Sequence, residues 1–211
     1  MWGIFNYKLF ILTGILLNMT PGADTFYILG KGMSKGKKSA VISAFGITVG
    51  CLIHTILAAF GLSTILAKSI TAFNIIKWAG AMYLIYLGIK SFKSSAIDVD
   101  SSENQKELSN KKIFLEGILT NILNPKVALF FISFLPQFIE ADNTYGAIPF
   151  LILGITFLLT GCVWYQILAL FSSTLTEKIR NNKNISKMIG KITGIAFVAL
   201  GITLLQAKNS N

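Results

Sequence analysis

The stretch Gly14-Ile15-Leu16-Leu17-Asn18-Met19-Thr20-Pro21-Gly22-Ala23-Asp24 decides how this chain is read, because a proline, a glycine and an acid interrupt a long apolar run. Proline lacks a backbone donor and crowds the carbonyl four residues earlier, here that of Leu17. In hydrocarbon the freed carbonyl needs another partner, so the break must face protein, water or ligand. Asn18 could supply an amide donor to it and Thr20 a hydroxyl. The pattern returns half a chain later: Gly117-Ile118-Leu119-Thr120-Asn121 repeats the first five positions, and Pro125 follows as Pro21 does. Pro125 frees the carbonyl of Asn121, and Asn124 is placed to cap the helix that resumes there. Two plain structural kinks are the simpler explanation. A matched pair favours a substrate site between the breaks.

Outward from these breaks the chain divides into six apolar stretches, at about Leu9–Leu29, Ala40–Leu66, Ile70–Ile89, Ile113–Ile139, Ala147–Leu170 and Ile192–Leu205. A bilayer span needs about 20 residues of helix, which most of them supply. Ser91–Asn110 mixes Ser, Asp, Glu, Lys and Asn and reads as a polar linker with no core of its own. Three helices on each side of it is an odd number, so equivalent halves would be inverted in the membrane. The predicted fold is therefore an all-α membrane protein. It has about six transmembrane helices, as two inverted three-helix repeats with proline-broken helices 1 and 4. The whole chain, 1–211, forms one polytopic unit, with repeat 1 over about 1–92, a cytoplasmic linker over 93–111 and repeat 2 over 112–211.

Composition agrees. Of 211 residues 53% are hydrophobic and 13% charged, about half the charge of an ordinary soluble domain. The net charge of +10 invites a nucleic-acid reading, but its distribution argues against one. Lys31, Lys35, Lys37 and Lys38 fall in the first connection, Lys90, Lys93, Lys106, Lys111 and Lys112 in the third, and Lys178, Arg180, Lys183, Lys187 and Lys191 in the fifth. The other side holds only Lys8, Lys68, Lys77 and Lys208. Positive loops face the cytoplasm, which places both termini outside. Met1–Phe10 lacks the features of a cleaved secretory signal, so the first helix is expected to be retained.

The ionisable residues inside the apolar runs are the candidates for function. Asp24 stands in the first turn after the Pro21-Gly22 break, where it could bind a proton or a substrate ammonium, or simply complement the helix dipole. Lys126 follows Pro125 at the start of a resumed helix, where the dipole disfavours a cation. It should therefore meet an anion, either Asp24 from the other half or a substrate carboxylate; a stem snorkelling to the interface is the alternative. Asn18, Pro21, Gly22, Asp24, Asn121, Asn124, Pro125 and Lys126 form the expected substrate-binding and coupling set. Lys77 reads as an interfacial anchor, and His54 as a helix-to-helix hydrogen bond or, less simply, a proton relay. Gly46 with Gly50, and Gly190 with Gly194, allow close helix packing and could also serve a homodimer. No phosphate-binding loop, zinc ligand set or hydrolytic triad is visible, so neither a cofactor nor an enzymatic reaction is expected. Transport would then draw on an ion gradient or be passive.

Several of these residues resemble the lysine and homoserine/threonine exporter family (LysE/RhtB). Asn18-Met19-Thr20-Pro21-Gly22-Ala23-Asp24 is similar to the family's N-x-x-P-G-P signature, with Ala23 in place of the second proline. Lys77-Trp78-Ala79-Gly80-Ala81-Met82-Tyr83-Leu84 through Leu87-Gly88 resembles its G-x-x-Y-L-x-x-L-G pattern. Gly117 through Asn121, Asn124-Pro125-Lys126, Phe130-Phe131 and Leu135-Pro136-Gln137-Phe138 complete the likeness over nearly the whole chain. The resemblance implies a bacterial inner-membrane exporter of amino acids or their derivatives, run as a proton-coupled antiporter. A metal-ion exporter, a passive channel and a thiol–disulfide electron carrier using Cys51 and Cys162 are the alternatives. Neither cysteine has a neighbouring charge to make it a reactive thiolate.

Overall fold

The computed structural model describes residues 2–62, 109–140 and 142–172, together with individual helical positions within 71–89 and 174–205. The described residues are all-helical. Helix α1 (Tyr7–Met19) is followed by α2 (Ala23–Lys35), and α3 (Lys37–Leu57) runs on through a π-helical turn, Ala58–Leu62. Helix α4 (Asn110–Ile122) is followed by α5 (Pro125–Leu129), which continues as a π turn over Phe130–Phe134 and a 3-10 turn over Leu135–Phe138; α6 spans Ile148–Leu170. Single π turns inside helices are uncommon and gather at functional sites.

Lys37–Gly61 and Ile148–Leu170 are each long and apolar enough to cross a bilayer unbroken. Two further spans are bent pairs: α1 meets α2 at 45°, and α4 meets the Pro125–Phe138 segment at 46°. The near-equal bends stand at the two proline positions, where a lost donor and a crowded carbonyl stop the α-helical ladder. These four spans correspond to the first, second, fourth and fifth apolar stretches. The described positions in the third and sixth stretches are helical, and Gly201 lies against Ile85 and the carbonyl of Ala81. Lys77, Gly190 and the polar segment over 91–108 lie outside the described residues.

Apolar side chains face outward as well as inward. Leu16 is 55% exposed, Leu123 68%, Leu159 58% and Val163 63%, a surface that suits acyl chains and not water. Inside are two clusters. Phe10, Phe130, Phe134, Phe138 and Phe157 stack at one end, with Phe130 and Phe157 centroids 4.1 Å apart. The same end is closed by a main-chain clasp, Phe5 N–H donating to Phe138 O at 2.8 Å and Glu140 N–H to Gly3 O at 2.9 Å. Ile28, Ala40, Ala44, Ile47 and Tyr165 form the other cluster.

Small residues draw α3 and α4 together. A side chain on Gly46 would strike the Phe114 carbonyl, and one on Gly50 would lie 2.7 Å from Asn121 Cβ. Gly117 returns the contact, its missing Cβ falling 2.8 Å from Ser43 O. The Gly46–Gly50 stripe therefore packs within the chain and brings Asn121 beside α3. Gly50→Val is expected to cost about 1–3 kcal/mol of stability through overpacking. In a melting curve of the purified protein this reads as a drop of several degrees, whereas Gly61→Ala, with nothing within 4 Å, should leave the melting temperature unchanged.

Candidate functional site

At the first break Pro21 leaves the Leu17 carbonyl without its helical donor. The Thr20 N–H turns back to Leu16 O at 3.0 Å and Leu17 O at 3.2 Å. The stronger donor comes from the other broken span. Lys126, 2% exposed at the start of α5, places Nζ 3.2 Å from Leu17 O and 2.8 Å from Thr20 O. The Lys126 stem passes beside Gly22, whose added Cβ would lie in ordinary contact at 3.4 Å from that Nζ.

This corrects two expectations. Asn18 does not serve the freed carbonyl; its Nδ2 donates to Phe157 O at 3.3 Å and Thr160 Oγ1 at 3.2 Å, in space left by Gly161. The Thr20 hydroxyl bonds back to Leu16 O at 2.8 Å. Lys126, in turn, directs its ammonium to carbonyls and not to the Asp24 carboxylate, although the two charges lie close enough to act on each other. The reason is local. A buried ammonium needs several acceptors, and the end of α1 offers two carbonyl oxygens with acceptor capacity to spare and the helix dipole's negative pole behind them.

The second break is sealed differently. Asn124 is the N-cap of α5, its Oδ1 accepting from Lys126 N–H at 3.0 Å, with Pro125 in the first turn where a missing N–H costs nothing. The Asn121 carbonyl freed by Pro125 accepts from Asn124 N–H at 3.0 Å and from His54 Nε2 at 3.2 Å. A carbonyl can only accept, so Nε2 carries the proton in this contact. The ring is held flat against Phe131, centroids 5.5 Å apart.

Asp24 lies fully buried between the breaks. Its Oδ2 accepts from Asn121 Nδ2 at 3.0 Å and from the Tyr165 hydroxyl at 3.2 Å. Asn124 also turns its amide toward the carboxyl group, short of a bond that satisfies Nδ2. Four buried atoms here keep unspent capacity: Asp24 Oδ1, Asn121 Oδ1, Thr25 Oγ1 and Asn124 Nδ2. Buried polar atoms are nearly always paired, so unpaired capacity on Asp24, Asn121 and Asn124, which the two breaks bring together, is unusual.

The structure thus gathers Gly22, Asp24, Asn121, Asn124 and Lys126 with the two prolines, and turns Asn18 toward α6. Asn18 instead borders an open groove of about 390 Å³ between α1 and α6, among Ile15, Met19, Leu159, Val163 and Ile167. Two further contacts were not foreseen. Tyr165 is one polar tip among apolar neighbours, and only the three-dimensional fold aims it at Asp24. Tyr27 donates to Ile113 O at 2.9 Å and Glu116 Oε2 at 3.1 Å, and Lys31 pairs with Glu116 at 3.1 Å, tying α2 to α4. Cys51 and Cys162 are free thiols. Among the described residues no three His, Cys, Asp or Glu side chains gather as a metal site would require.

Two interrupted spans that bury a carboxylate and an ammonium beside unpaired amides belong to a multi-pass membrane protein, and the family match makes it a transporter. The chain belongs to the LysE type translocator family, whose model matches residues 15–208. It is 33% identical over 201 residues to the membrane protein YrhP of Bacillus subtilis, covering 92% of this chain and 95% of that one. It is 26% identical to a leucine efflux protein of Klebsiella pneumoniae and 27% to one of Salmonella choleraesuis, each over 96% of both chains. No solved structure matches the chain significantly.

Removing the Asn124 cap tests the local architecture. Asn124→Ala is expected to lower unfolding stability by about 1 kcal/mol and Asn124→Ser to restore most of it, measured by thermal unfolding of the purified protein.

Proposed function

We propose that this protein is a secondary exporter of amino acids or small amino-acid derivatives in a bacterial inner membrane, working as a proton-coupled antiporter. The observation that carries the reading is the half-used carboxylate. Asp24 spends one oxygen on Asn121 and Tyr165 and keeps the other free, fully buried, between two helix breaks. Family membership and the leucine efflux proteins among the relatives support an amino-acid solute.

In this reading the solute's ammonium meets Asp24 Oδ1 and Asn121 Oδ1, and its carboxylate meets Asn124 Nδ2. A proton takes the ammonium's place on Asp24 in the return step, so that the carboxyl group is never left charged and unpartnered in a dry site. That exchange couples export to the proton gradient. The matched bends of 45° and 46° support two inverted repeats, 1–92 and 112–211, joined by a linker over 93–111, with rocking of one against the other giving alternating access. The basic connections support cytoplasmic loops and outward termini. The Tyr27–Glu116–Lys31 contacts then close the cytoplasmic halves of the broken spans, and the 3–5/138–140 clasp closes the outer halves.

Expression in a bacterium loaded with amino acids through dipeptides tests this directly. Wild type should speed the exit of at least one amino acid, leucine being the first to assay, and discharging the proton gradient should slow that exit. Asp24→Asn should abolish it. Tyr165→Phe, which loses one hydrogen bond to a charged group, should slow it by roughly tenfold at equal membrane abundance. Exit of no amino acid above the vector control, or full activity in Asp24→Asn, would sink the proposal.

A further inference from the structure

We propose that the carbonyls of Leu17 and Thr20, at the end of α1, form a monovalent-cation site which this chain fills with its own Lys126 ammonium. Four observations converge on it. Both oxygens belong to the C-terminal end of an interrupted helix, which carries the negative pole of the dipole and is a favoured place for small cations in membrane transporters. Pro21 removes the helical donor of Leu17 O, leaving it only the Thr20 N–H at 3.2 Å, which that amide shares with Leu16 O. The Nζ atom reaches both oxygens, at 3.2 and 2.8 Å, from a different broken span. And Lys126 occupies the N-terminal turn of α5, where its own helix disfavours a cation, so its position is explained by the α1 carbonyls and not by α5.

The arrangement gives the site a built-in counter-charge. Asp24 and Lys126 are both buried and act on each other without touching. With the ammonium tethered on the carbonyls, a net-neutral zwitterion can enter beside Asp24 without recruiting an inorganic cation from solution. A chain lacking that ammonium must recruit one. The ligand class is a small monovalent cation, either an alkali ion or a primary alkylammonium, and the two are separated by testing each.

The experiment uses the full-length protein in detergent and in proteoliposomes. Lys126→Ala should melt well below wild type in choline chloride. Replacing choline at equal ionic strength by sodium, potassium or methylammonium should raise its melting temperature for at least one of these ions, while wild type responds to none. Amino-acid exchange by Lys126→Ala should be lost in choline and recover by about tenfold or more in the same stabilising cation. Lys126→Met, which keeps the apolar stem, should show the same dependence. Where Lys126→Ala cannot be purified from choline, its yield after solubilisation in each salt replaces the melting curve, and a yield indifferent to cation counts against the site. Equal responses of variant and wild type to every salt, or full cation-independent activity in Lys126→Met, would overturn the proposal. The transport arm rests on the exporter reading. A wild type that exchanges no amino acid defeats that reading alone, and a working wild type beside variants that no cation rescues defeats the cation site alone.

Discussion

Hydrocarbon offers no donor to a backbone carbonyl, and each proline in a membrane-spanning helix releases one. The centre of this protein is arranged around two such carbonyls, those of Leu17 and Asn121. Each keeps one turn-type N–H from its own span, Thr20 to Leu17 O at 3.2 Å and Asn124 to Asn121 O at 3.0 Å, and takes a second donor from another span. Lys126 crosses from the fourth span to the first, and His54 crosses from the second to the fourth. Each break is thus held by a side chain that belongs to a different span, and the bends of 45° and 46° persist because separate parts of the chain hold them open together. The glycines on α3 and α4 serve the same end, since without the close approach at Gly50 the Asn121 carbonyl could not sit beside His54.

Because the strongest donors are committed to backbone, the remaining polar atoms acquire a distinct role. Asn121 divides its groups, its carbonyl going to His54 and its Nδ2 to Asp24, with Oδ1 left over. Asn124 likewise gives Oδ1 to its helix cap and keeps Nδ2. What is left is an unsaturated cluster beside a buried carboxylate, which in the proposed function receives a zwitterionic solute, its ammonium on one side and its carboxylate on the other. The family match and the relatives named for leucine efflux agree with a solute of that kind.

Four of the six expected spans, and both breaks, were legible in the sequence because their causes are local. Proline and glycine interrupt any helix, and long apolar runs identify themselves. Asp24 and Lys126 stood out for the same reason, as charges where charge is costly. Their partners were not legible. Whether Lys126 meets a carboxylate or two carbonyls depends on a difference of a few ångströms between neighbouring turns, set by how α1, α4 and α6 pack. Asn18 shows the same limit: its place one turn before Pro21 implied a role at the break, yet rotation of α1 aims it at Thr160 and the Phe157 carbonyl. Tyr165 carried no signal at all, since a tyrosine in an apolar helix is ordinary until the fold puts an acid opposite its hydroxyl.

The central claim is that the free oxygen of Asp24 reads an ammonium group. Its most direct test is competition for binding to the purified protein between a transported amino acid and its des-amino analogue, which keeps the carboxylate and side chain; for leucine the analogue is 4-methylpentanoate. The account expects the amino acid to displace a labelled copy of itself while the analogue fails to do so, and Asp24→Asn to bind neither well. An analogue that competes as strongly as the amino acid would show that the ammonium is not recognised, and would contradict the role given to Asp24.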